Sequence, residues 1–446
     1  MTATLPYRPL SLDRVLAAAH PERIGAVDSV VGLGIRVIGI PAAIGDMLII
    51  GGGAVADDTG ARAEVVAVAR DAVTAMPLDA LTSVTAGTDV RTTGGPMTVP
   101  VGKGLLGRVI DAAGDPIDGK GPLRGVTRVP VDNEAPSSLL RARIDRPMPV
   151  GVRALDTLTA IGRGQRMGLF AGSGVGKSSL LSMIARGTAA EVTVIALIGE
   201  RGREVREFLE DDLGAEGLAR SIVIVSTADE PALMRVRAAF TATRIADAVR
   251  EEGAHVMLMM DSVTRVAHAQ REVGLSIGEP PATRGYPPSV FGLLARLLER
   301  AGTGPIGSVT GMYTVLVDGD DHNEPIADAV RSILDGHVVL DRKLAVSGHF
   351  PAIDALASVS RVASRVTTPE QRELALVLRR VMAARASVQD LLDVGAYQVG
   401  ANPLVDAAVD HQSEIDAFLT QRIDEQSAAE DSWSALAGLV RQLGGA

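Results

Sequence analysis

Residues 171–178 read Ala-Gly-Ser-Gly-Val-Gly-Lys-Ser and follow an apolar stretch at 167–170 that can form a buried strand. In such a loop, glycines turn backbone N–H groups toward a polyphosphate, Lys177 reaches the β- and γ-phosphates, and Ser178 offers a hydroxyl to Mg²⁺. The following helix-forming stretch would place the phosphates at a helix N-terminus, which favours anions. Ala171 stands where the usual motif has glycine, and alanine fits there if its φ is negative. The predicted phosphate-binding residues are Gly172, Ser173, Gly174, Val175, Gly176, Lys177, Ser178 and Ser179.

A second apolar run, at 256–260, ends at Asp261. This pattern is typical of a buried central strand that delivers a carboxylate at its carboxyl end, where it can order Mg²⁺ through water opposite Ser178. Many strands end in aspartate, so the pattern gains its weight from its position about 80 residues after the phosphate loop. Arg265 follows and can contact a γ-phosphate, although a surface arginine is the simpler interpretation of that residue alone.

A third apolar run, at 195–198, is followed by Gly199 and Glu200. Ligands of open α/β sheets bind at the carboxyl ends of the strands, where this carboxylate would stand. Hydrolysis of ATP needs a group that orients or deprotonates the attacking water, and Glu200 is the candidate. The alternative is that residues 200–210 form only the charged start of a helix with i,i+3 and i,i+4 ion pairs. Without the neighbouring motifs, that alternative would be the better one.

Far downstream, a stretch of mostly small residues separates Phe350 from Arg361. An arginine supplied in trans to a γ-phosphate raises the rate of hydrolysis by about 10³–10⁵ in other systems. An aromatic ring such as that of Phe350 can pack on the face of an adenine. The spacing of these two residues does not by itself identify either role.

The composition of the chain limits the class of protein. A length of 446 residues exceeds the usual size of one hydrophobic core, so two or three domains are expected. The chain has no cysteine, which excludes disulfides and thiolate metal sites. No apolar run reaches ~18 residues, and the N-terminus carries no pattern typical of secretion. The net charge of −10 argues against a nucleic-acid translocase, which needs a basic track for phosphates.

The apolar pattern also indicates the elements that must position these residues. Residues 11–20 carry a short helix signal, which fits a packed terminal helix or a docking helix for a partner. Short Val/Ile/Leu runs between turn residues from 24 to about 92 predict a small β-barrel. Residues 93–150 are turn-punctuated and end in an extended linker. Strand runs that alternate with helical stretches from 151 to about 366 predict a mostly parallel sheet.

Beyond Thr367 the chain is helical, with one amphipathic face formed by Leu374, Leu378, Val381 and Met382. We therefore expect an N-terminal helical segment at 1–23, a β-barrel domain at 24–93, a P-loop ATPase domain at 94–366 with 94–150 as its leading segment, and a C-terminal helical domain at 367–446.

Together these residues closely resemble the catalytic hexamer family of rotary ATP synthases and type III secretion ATPases, over nearly the whole chain from Ile24 onward. The most specific matches are the segments 351–360, 199–204 and 153–156. The resemblance to the export ATPases within the family is carried by the segments 285–291, 313–321, 333–340 and 395–400. It implies an α/β fold: a RecA-like parallel-sheet P-loop ATPase core with an N-terminal small β-barrel and a C-terminal helical domain.

The resemblance also implies a role for each matched residue, with ATP as the substrate and Mg²⁺ as the cofactor. Lys177 and Ser178 would bind the phosphates and Mg²⁺, and Asp261 would hold a magnesium-bound water. Glu200 would activate the attacking water with the support of Arg201. Arg265 would contact the γ-phosphate, and Phe350 would stack on the adenine. Arg361 would act across the subunit boundary as an arginine finger. Gly278 and Gly285 would bound a loop that faces a central pore.

The chain carries both the Glu200 side and the Arg361 side of an interfacial site, which the two major subunits of the ATP synthase divide between them. One chain with both halves fits a homohexamer closed by cyclic symmetry. By resemblance, the leading hypothesis is an ATPase that energises flagellar protein export. Its partners would be a peripheral stalk-like regulator docked on residues 11–20, a central stalk protein, export chaperones and cargo, and the membrane export gate. It would be cytoplasmic, at most peripheral to the inner face of the membrane, and without a nucleic-acid partner.

Four alternatives stay open on the sequence. A virulence injectisome ATPase has the same chemistry and a different cargo, and no physical argument from the chain separates the two. A catalytic subunit of a rotary ATP synthase fits less well, because the C-terminal helices lack that subunit's acidic Asp-Glu-Leu-rich segment. An RNA-translocating helicase would need basic pore loops, whereas residues 275–281 are acidic or neutral. A non-enzymatic scaffold would be expected to lack at least one of Lys177, Glu200, Asp261 and Arg361, and all four are present.

Overall fold

The computed structural model describes residues 23–52, 60–81, 83–317 and 324–444. Within these ranges the chain forms two compact units, one of the described residues up to 97 together with 276–278, the other of the described residues in 98–275 and after 278. The helix predicted at 11–20 and residues 318–321 of the export-type segment lie outside the described residues.

The first unit is a closed antiparallel barrel, as the spacing of its short apolar runs predicts. Alternate residues along each strand face inward because side chains on a strand point to opposite sides in turn. The resulting core includes Val27, Ile35, Val37, Leu48 and Val65. The strands lie in the order β1-β2-β5-β4-β3-β6, with bounds β1 Gly25–Val31, β2 Gly34–Ile38, β3 Asp46–Ile50, β4 Ala61–Val68, β5 Ala72–Pro77 and β6 Asp89–Pro96.

The second unit begins with three short strands in the turn-rich segment. β7 (Thr98–Val101) pairs antiparallel with β9 (Thr127–Pro130), and a 3₁₀ turn at Lys103–Leu105 lies between them in the chain. The strand that lies between them in the chain, β8 (Val109–Asp111), is not part of this pair. It joins the large central sheet, where it pairs in parallel with β12 (Ser221–Thr227). The segment before residue 151 thus contributes an edge strand to the sheet that carries the phosphate loop.

The central sheet has the strand order β17-β16-β10-β15-β13-β11-β12-β8, with β14 paired to β15. All neighbours are parallel except β17 and β14, which are antiparallel to β16 and β15. Its inner strands read as nearly unbroken apolar runs because helices cover both faces. The remaining bounds are β10 Arg166–Ala171, β11 Val192–Glu200, β13 His255–Asp261, β14 Gly302–Thr303, β15 Ser308–Leu316, β16 Gly336–Leu340 and β17 Ile353–Ser360.

The strands of the sheet are connected and flanked by helical segments, one of which is a π-helix at Phe208–Leu213 and one a 3₁₀ turn at Thr283–Gly285. The α-helices of this part are Arg153–Leu158, Lys177–Gly187, Gly202–Glu207, Gly214–Ala219, Ala232–Glu251, Val263–Ser276, Pro288–Glu299, Pro325–Ile333, Arg342–Val346 and Ala363–Val366.

Beyond residue 367 the described chain is helical, as predicted. A capping box between Thr368 and Gln371 starts the first and longest of these helices. On its inner face Leu378 and Val381 are buried, and Leu374 and Met382 pack against the same core, so the predicted amphipathic face is confirmed. The bounds are Pro369–Ser387, Gln389–Asp393, Pro403–Asp410, Gln412–Leu419 and Ala429–Gln442. No helix in the described ranges combines the length and apolarity that crossing a membrane requires.

The C-terminal helices are joined to the sheet through Arg153. Its backbone N–H donates to Gln421 Oε1 at 2.9 Å, and its guanidinium pairs with Glu425 and donates to the Phe418 carbonyl. Gln421 in turn donates through its side chain to the Gly151 carbonyl at 2.8 Å. These bonds fix the C-terminal helices against the start of the domain that carries the phosphate loop.

Candidate nucleotide-binding site

The phosphate loop lies between the carboxyl end of β10 and the helix that begins at Lys177. Gly174 and Gly176 have φ of +76° and +89°, in the left-handed region that favours glycine. Among the described non-glycine residues, a positive φ occurs only at Ser83 and Arg284. Ala171 therefore has the negative φ that its substitution for glycine requires, and it lies buried at the end of the strand.

Lys177 and Asp261 meet at the carboxyl edge of the sheet. The Lys177 ammonium donates to Asp261 Oδ1, and Nζ also lies 3.4 Å from Glu200 Oε1. Asp261 comes from the end of β13, two strands from β10, and its side chain is almost fully buried. Thr314 on the intervening strand β15 donates its hydroxyl to the same Asp261 Oδ1 at 2.7 Å. The carboxyl ends of β10, β11 and β13 thus bring one cation, Lys177, and two carboxylates, Glu200 and Asp261, together beside the phosphate loop.

Glu200 ends β11 and faces both Lys177 and Arg265. Arg265 Nη2 lies 3.4 Å from Glu200 Oε2, and Nη1 donates to the Gly199 carbonyl. Gly199 has φ of +69°, and a Cβ there would lie 2.7 Å from Arg265 Cδ, so glycine is needed for the arginine to pass. Burial raises the pKa of Glu200, against the opposing effect of Lys177. The resemblance implies a γ-phosphate contact for Arg265, and here its guanidinium lies against the carboxylate of Glu200.

Arg201 reaches Glu200 indirectly. Its exposed guanidinium lies 3.1 Å from Glu204 Oε1, and Glu204 accepts a hydrogen bond from the protonated carboxyl of Glu200, which lowers the pKa of Glu204. The exposed pairs Arg203–Glu207 and Arg206–Glu210 continue along the same turns. The segment 200–210 is therefore both a charged helix start and, at its first residue, part of the buried cluster.

Phe350 lies beside the phosphate loop. A Cβ added to Gly176 would sit 3.4 Å from Phe350 Cδ1, so the ring covers that glycine. The ring is half exposed, and the Phe350 carbonyl accepts from the Gln421 N–H at 2.9 Å. An apolar surface next to the phosphate loop is thus held in place by the C-terminal segment.

Arg361 is not brought to the phosphate loop of its own chain. In the parallel pair of β10 and β16, Ala171 lies opposite Leu340. In the antiparallel pair of β16 and β17, Ser360 lies opposite Gly336, at the other end of β16. The length of β16 separates the two ends by about 13 Å at 3.3 Å per residue. Arg361 is exposed at the amino end of the sheet, with its N–H bonded to the Asp335 carbonyl.

The loop between helices Val263–Ser276 and Pro288–Glu299 contains both glycines assigned to a pore-facing loop. Gly278 and Gly285 have φ of +91° and +83°. Tyr286, which directly follows Gly285, is buried, and its hydroxyl lies 3.0 Å from His268 Nε2. The loop is therefore anchored by an aromatic side chain on its C-terminal side.

Two residues near the site were not singled out from the sequence. Thr314 looks like an ordinary β-branched residue in an apolar strand, and only its pairing next to β13 reveals its contact with Asp261. Arg342 donates through Nη1 to the Ser173 carbonyl at 3.1 Å. This bond connects the phosphate loop to the helix Arg342–Val346, although the two residues are 169 positions apart in the sequence. No local pattern predicts a contact over that separation.

The oxygen atoms at the site suit a magnesium ion that is shared with phosphates. Within the part of the chain that the structure describes, no cluster of three or more His, Cys, Asp or Glu residues can hold a metal. Ser178, exposed at the helix start, and Asp261, at the end of β13, offer a hydroxyl and a carboxylate. Mg²⁺ is usually bound by one or two such protein ligands plus substrate phosphates and waters, so this donor set fits it.

Comparisons with known proteins agree with this architecture. Residues 151–360 match the model of the ATP synthase alpha/beta family nucleotide-binding domain, and residues 367–438 match that of the T3SS EscN ATPase C-terminal domain. The chain is 50% identical over 419 residues to the flagellum-specific ATP synthase of Bacillus subtilis (strain 168), covering 94% of this chain and 95% of the relative. It is 47% identical over 442 residues to the type 3 secretion system ATPase of Xanthomonas euvesicatoria, covering 99% of each.

Solved structures extend the likeness to three dimensions. The assembled ATPase EscN of the enteropathogenic E. coli type III secretion system superposes with a TM-score of 0.88 at 43% identity, covering 93% of this chain and all of the other. The same ATPase in complex with its central stalk EscO gives a TM-score of 0.86. The predicted core, barrel and helical domain are therefore confirmed as one known architecture.

Proposed function

The chain belongs to the ATP synthase alpha/beta family, alongside flagellar and type III secretion ATPases, and we propose that it hydrolyses Mg²⁺-ATP to energise the export of flagellar proteins. The observation that carries the proposal is the convergence of Lys177, Glu200 and Asp261 at one edge of the sheet, next to the phosphate loop. Parallel strands bring these groups together from distant parts of the sequence.

The phosphate loop and Phe350 bind the nucleotide. The N–H groups of residues 172–179 and the Lys177 ammonium hold the polyphosphate at a helix N-terminus. Phe350, beside Gly176, packs on the adenine. When the polyphosphate binds, Lys177 leaves Asp261 and contacts the phosphates instead, because one ammonium cannot bind both anions at full strength.

Glu200 orients and deprotonates the attacking water. Its raised pKa makes it a better proton acceptor than an ordinary glutamate, and Lys177 and Arg265 keep its ionised form accessible despite burial. Arg265 reaches the γ-phosphate from its place beside Glu200, and Arg201 steadies Glu200 through Glu204. Ser178 and Asp261 hold Mg²⁺, the latter through water. When bound, this ion would neutralise negative charge that develops on the phosphates during hydrolysis.

Arg361 acts on a neighbouring copy of the chain. Because it is exposed at the opposite end of the sheet from its own phosphate loop, it serves as an arginine finger only in trans. An assembly in which every subunit supplies Glu200 to one site and Arg361 to the next is a closed ring, and we assign a homohexamer. The relative EscN, which is described as assembled, supports this assignment.

The proposal extends to partners and a location, of which the relatives support the central stalk protein. A central stalk protein is proposed because EscN binds one, EscO. A peripheral stalk-like regulator at residues 11–20, export chaperones with their cargo and the membrane export gate complete the set, with Gly278 and Gly285 bounding the pore-facing loop. We place the protein in the cytoplasm, at the inner face of the membrane.

The type III injectisome ATPase is the second candidate, favoured by the 99% coverage of both chains in the match to the Xanthomonas ATPase. It shares every catalytic group named above and differs in its cargo. A catalytic subunit of a rotary ATP synthase is disfavoured, because residues 367–438 match the EscN-type C-terminal domain.

Two measurements test the proposal. Purified protein should hydrolyse ATP, Lys177→Ala should reduce the rate at least about 100-fold, and the exposed Lys103→Ala should not change it. Equal rates for wild type and Lys177→Ala would favour a scaffold. A deletion strain should lose flagellar protein export and regain it with the wild-type gene but not with Lys177→Ala. Normal motility with loss of injectisome export would instead select the second candidate.

A further inference from the structure

Thr314 contacts the carboxylate at the centre of the site. Its strand β15 runs beside β13, with Met260 opposite Tyr313, so that Thr314 comes level with Asp261. The side chain is fully buried, and Oγ1 lies 2.7 Å from Asp261 Oδ1 and 3.2 Å from the Met260 carbonyl oxygen. An ionised carboxylate only accepts, so the hydroxyl donates to Asp261 in the shorter contact.

The same oxygen of Asp261 has a second donor, Lys177. In the proposed function Lys177 moves to the phosphates when a nucleotide binds, and this removes one of the two bonds that hold Oδ1. The Thr314 hydroxyl, fixed on a central strand, stays. Bonds of this charge-assisted kind are stronger than neutral ones, and a β-branched side chain on a strand is restricted in χ1.

We propose that Thr314 is a positioning residue for Asp261, whose hydroxyl keeps the carboxylate aimed at the magnesium-bound water once Lys177 has turned to the phosphates. This inference rests on the proposed function. In this role Thr314 acts only through Asp261. Groups that orient a metal-binding carboxylate typically change metal affinity or activity by about 10–100-fold.

A purely structural role for Thr314 is the competing explanation, and matched variants separate the two. Thr314→Val keeps the shape and removes the hydroxyl, and Thr314→Ser restores it. Thr310→Val is the control, because Thr310 is equally buried on the same strand and its hydroxyl accepts from the Gly164 N–H at 2.9 Å, toward the other end of β15. Thermal unfolding without nucleotide reports the stability of each variant.

The decisive measurement is the affinity for ADP by titration calorimetry, in EDTA and in Mg²⁺, together with steady-state ATP hydrolysis. In EDTA, Thr314→Val should bind ADP like wild type. The factor by which Mg²⁺ raises its ADP affinity should be about tenfold smaller than in wild type. Its kcat should also fall about tenfold, with little change in KM. Thr314→Ser should recover most of both. Thr310→Val should unfold at a lower temperature and keep the Mg²⁺ effect.

An unchanged Mg²⁺ effect in Thr314→Val, an equal loss of ADP affinity in EDTA, or no recovery with serine would each overturn the assignment. Should wild type fail to hydrolyse ATP, the proposed function falls, while the ADP titrations still decide whether Thr314 acts through the metal carboxylate. Absence of any Mg²⁺ effect in wild type would overturn the assignment as well.

Discussion

The ammonium of Lys177 is bonded to the carboxylate of Asp261 in the structure, with Glu200 Oε1 a further 3.4 Å contact of the same Nζ atom. A phosphate that binds the loop must therefore draw Lys177 away from an existing ion pair. The free-energy cost of breaking that ion pair can be measured, because it should fall when the Asp261 carboxylate is replaced by a neutral amide.

Asp261→Asn should separate nucleotide binding from hydrolysis. Without its anionic partner, Lys177 is more available to phosphates, so ADP affinity in EDTA should rise about fivefold, equivalent to about 1 kcal/mol. Hydrolysis of Mg²⁺-ATP should fall at least about 100-fold, because the magnesium-bound water loses its carboxylate. Titration calorimetry and a phosphate-release assay measure the two effects. Weaker ADP binding in EDTA would contradict this account of Lys177.

Glu200→Gln should reduce kcat by about 10²–10⁴-fold with ADP affinity nearly unchanged, because the general base is removed and the phosphate loop is not. The matched control is Glu207→Gln, an exposed carboxylate of the same segment that pairs with Arg203. In wild type, burial raises the pKa of Glu200. Since the base must be ionised, kcat should fall as the pH falls through that raised pKa, at a higher pH than for an ordinary glutamate. A pH–rate profile without such an acid limb would exclude Glu200 as the base.

Arg361 and Glu200 should complement each other between subunits. Arg361→Ala and Glu200→Ala proteins should each be inactive alone, since every site of a uniform ring lacks one group. In mixed rings some interfaces join an intact Glu200 side to an intact Arg361 side, so activity should appear and depend on the mixing ratio. The measurement is ATP hydrolysis after co-assembly over a range of ratios. Failure of every mixture to recover activity would argue against action in trans.

Asp156 should make stability depend on pH. Its two carboxylate oxygens accept from the N–H groups of Val150 and Gly151, yet burial raises the pKa of Asp156 to about 7. The folded state then binds this proton more tightly than the unfolded chain, so the contribution to stability is present below about pH 4 and is lost as the pH rises to about 7, on the order of 4 kcal/mol.

Denaturant unfolding at several pH values tests this sign. Asp156→Asn should flatten the decline of the free energy of unfolding between pH 4 and 7, whatever its effect on absolute stability. The exposed Asp71→Asn should leave the slope unchanged. Parallel slopes for wild type and Asp156→Asn would show that Asp156 does not titrate in this range.

Much of the site could be predicted from local sequence because each component ends an apolar strand. The phosphate loop, Glu200 and Asp261 follow runs whose length and composition identify buried parallel strands, and such strands place their carboxyl ends at one edge. The roles given to these residues stay predictions that the variants above test. No local pattern predicts where Arg361 lies, because its position depends on the antiparallel register between β16 and β17.

Other features could not be read from the chain because they depend on pairing. Thr314 is one β-branched residue among many in β15, and its hydroxyl matters only through the neighbouring strand. The three-residue strand β8 lies among glycines and prolines, too short to show a period of two. The sequence therefore predicts only turn-punctuated chain around it, and an extended linker shortly before residue 151.

That short strand determines where the chain can be shortened. β8 pairs with β12, whose other neighbour is β11, and so protects a row of backbone N–H and C=O groups at the margin of the catalytic sheet. A chain begun at residue 151, where the family model begins, would leave this row open as a template for pairing with other molecules. Aggregation or strand exchange of such a fragment would then reflect the missing segment rather than any fault in the nucleotide site.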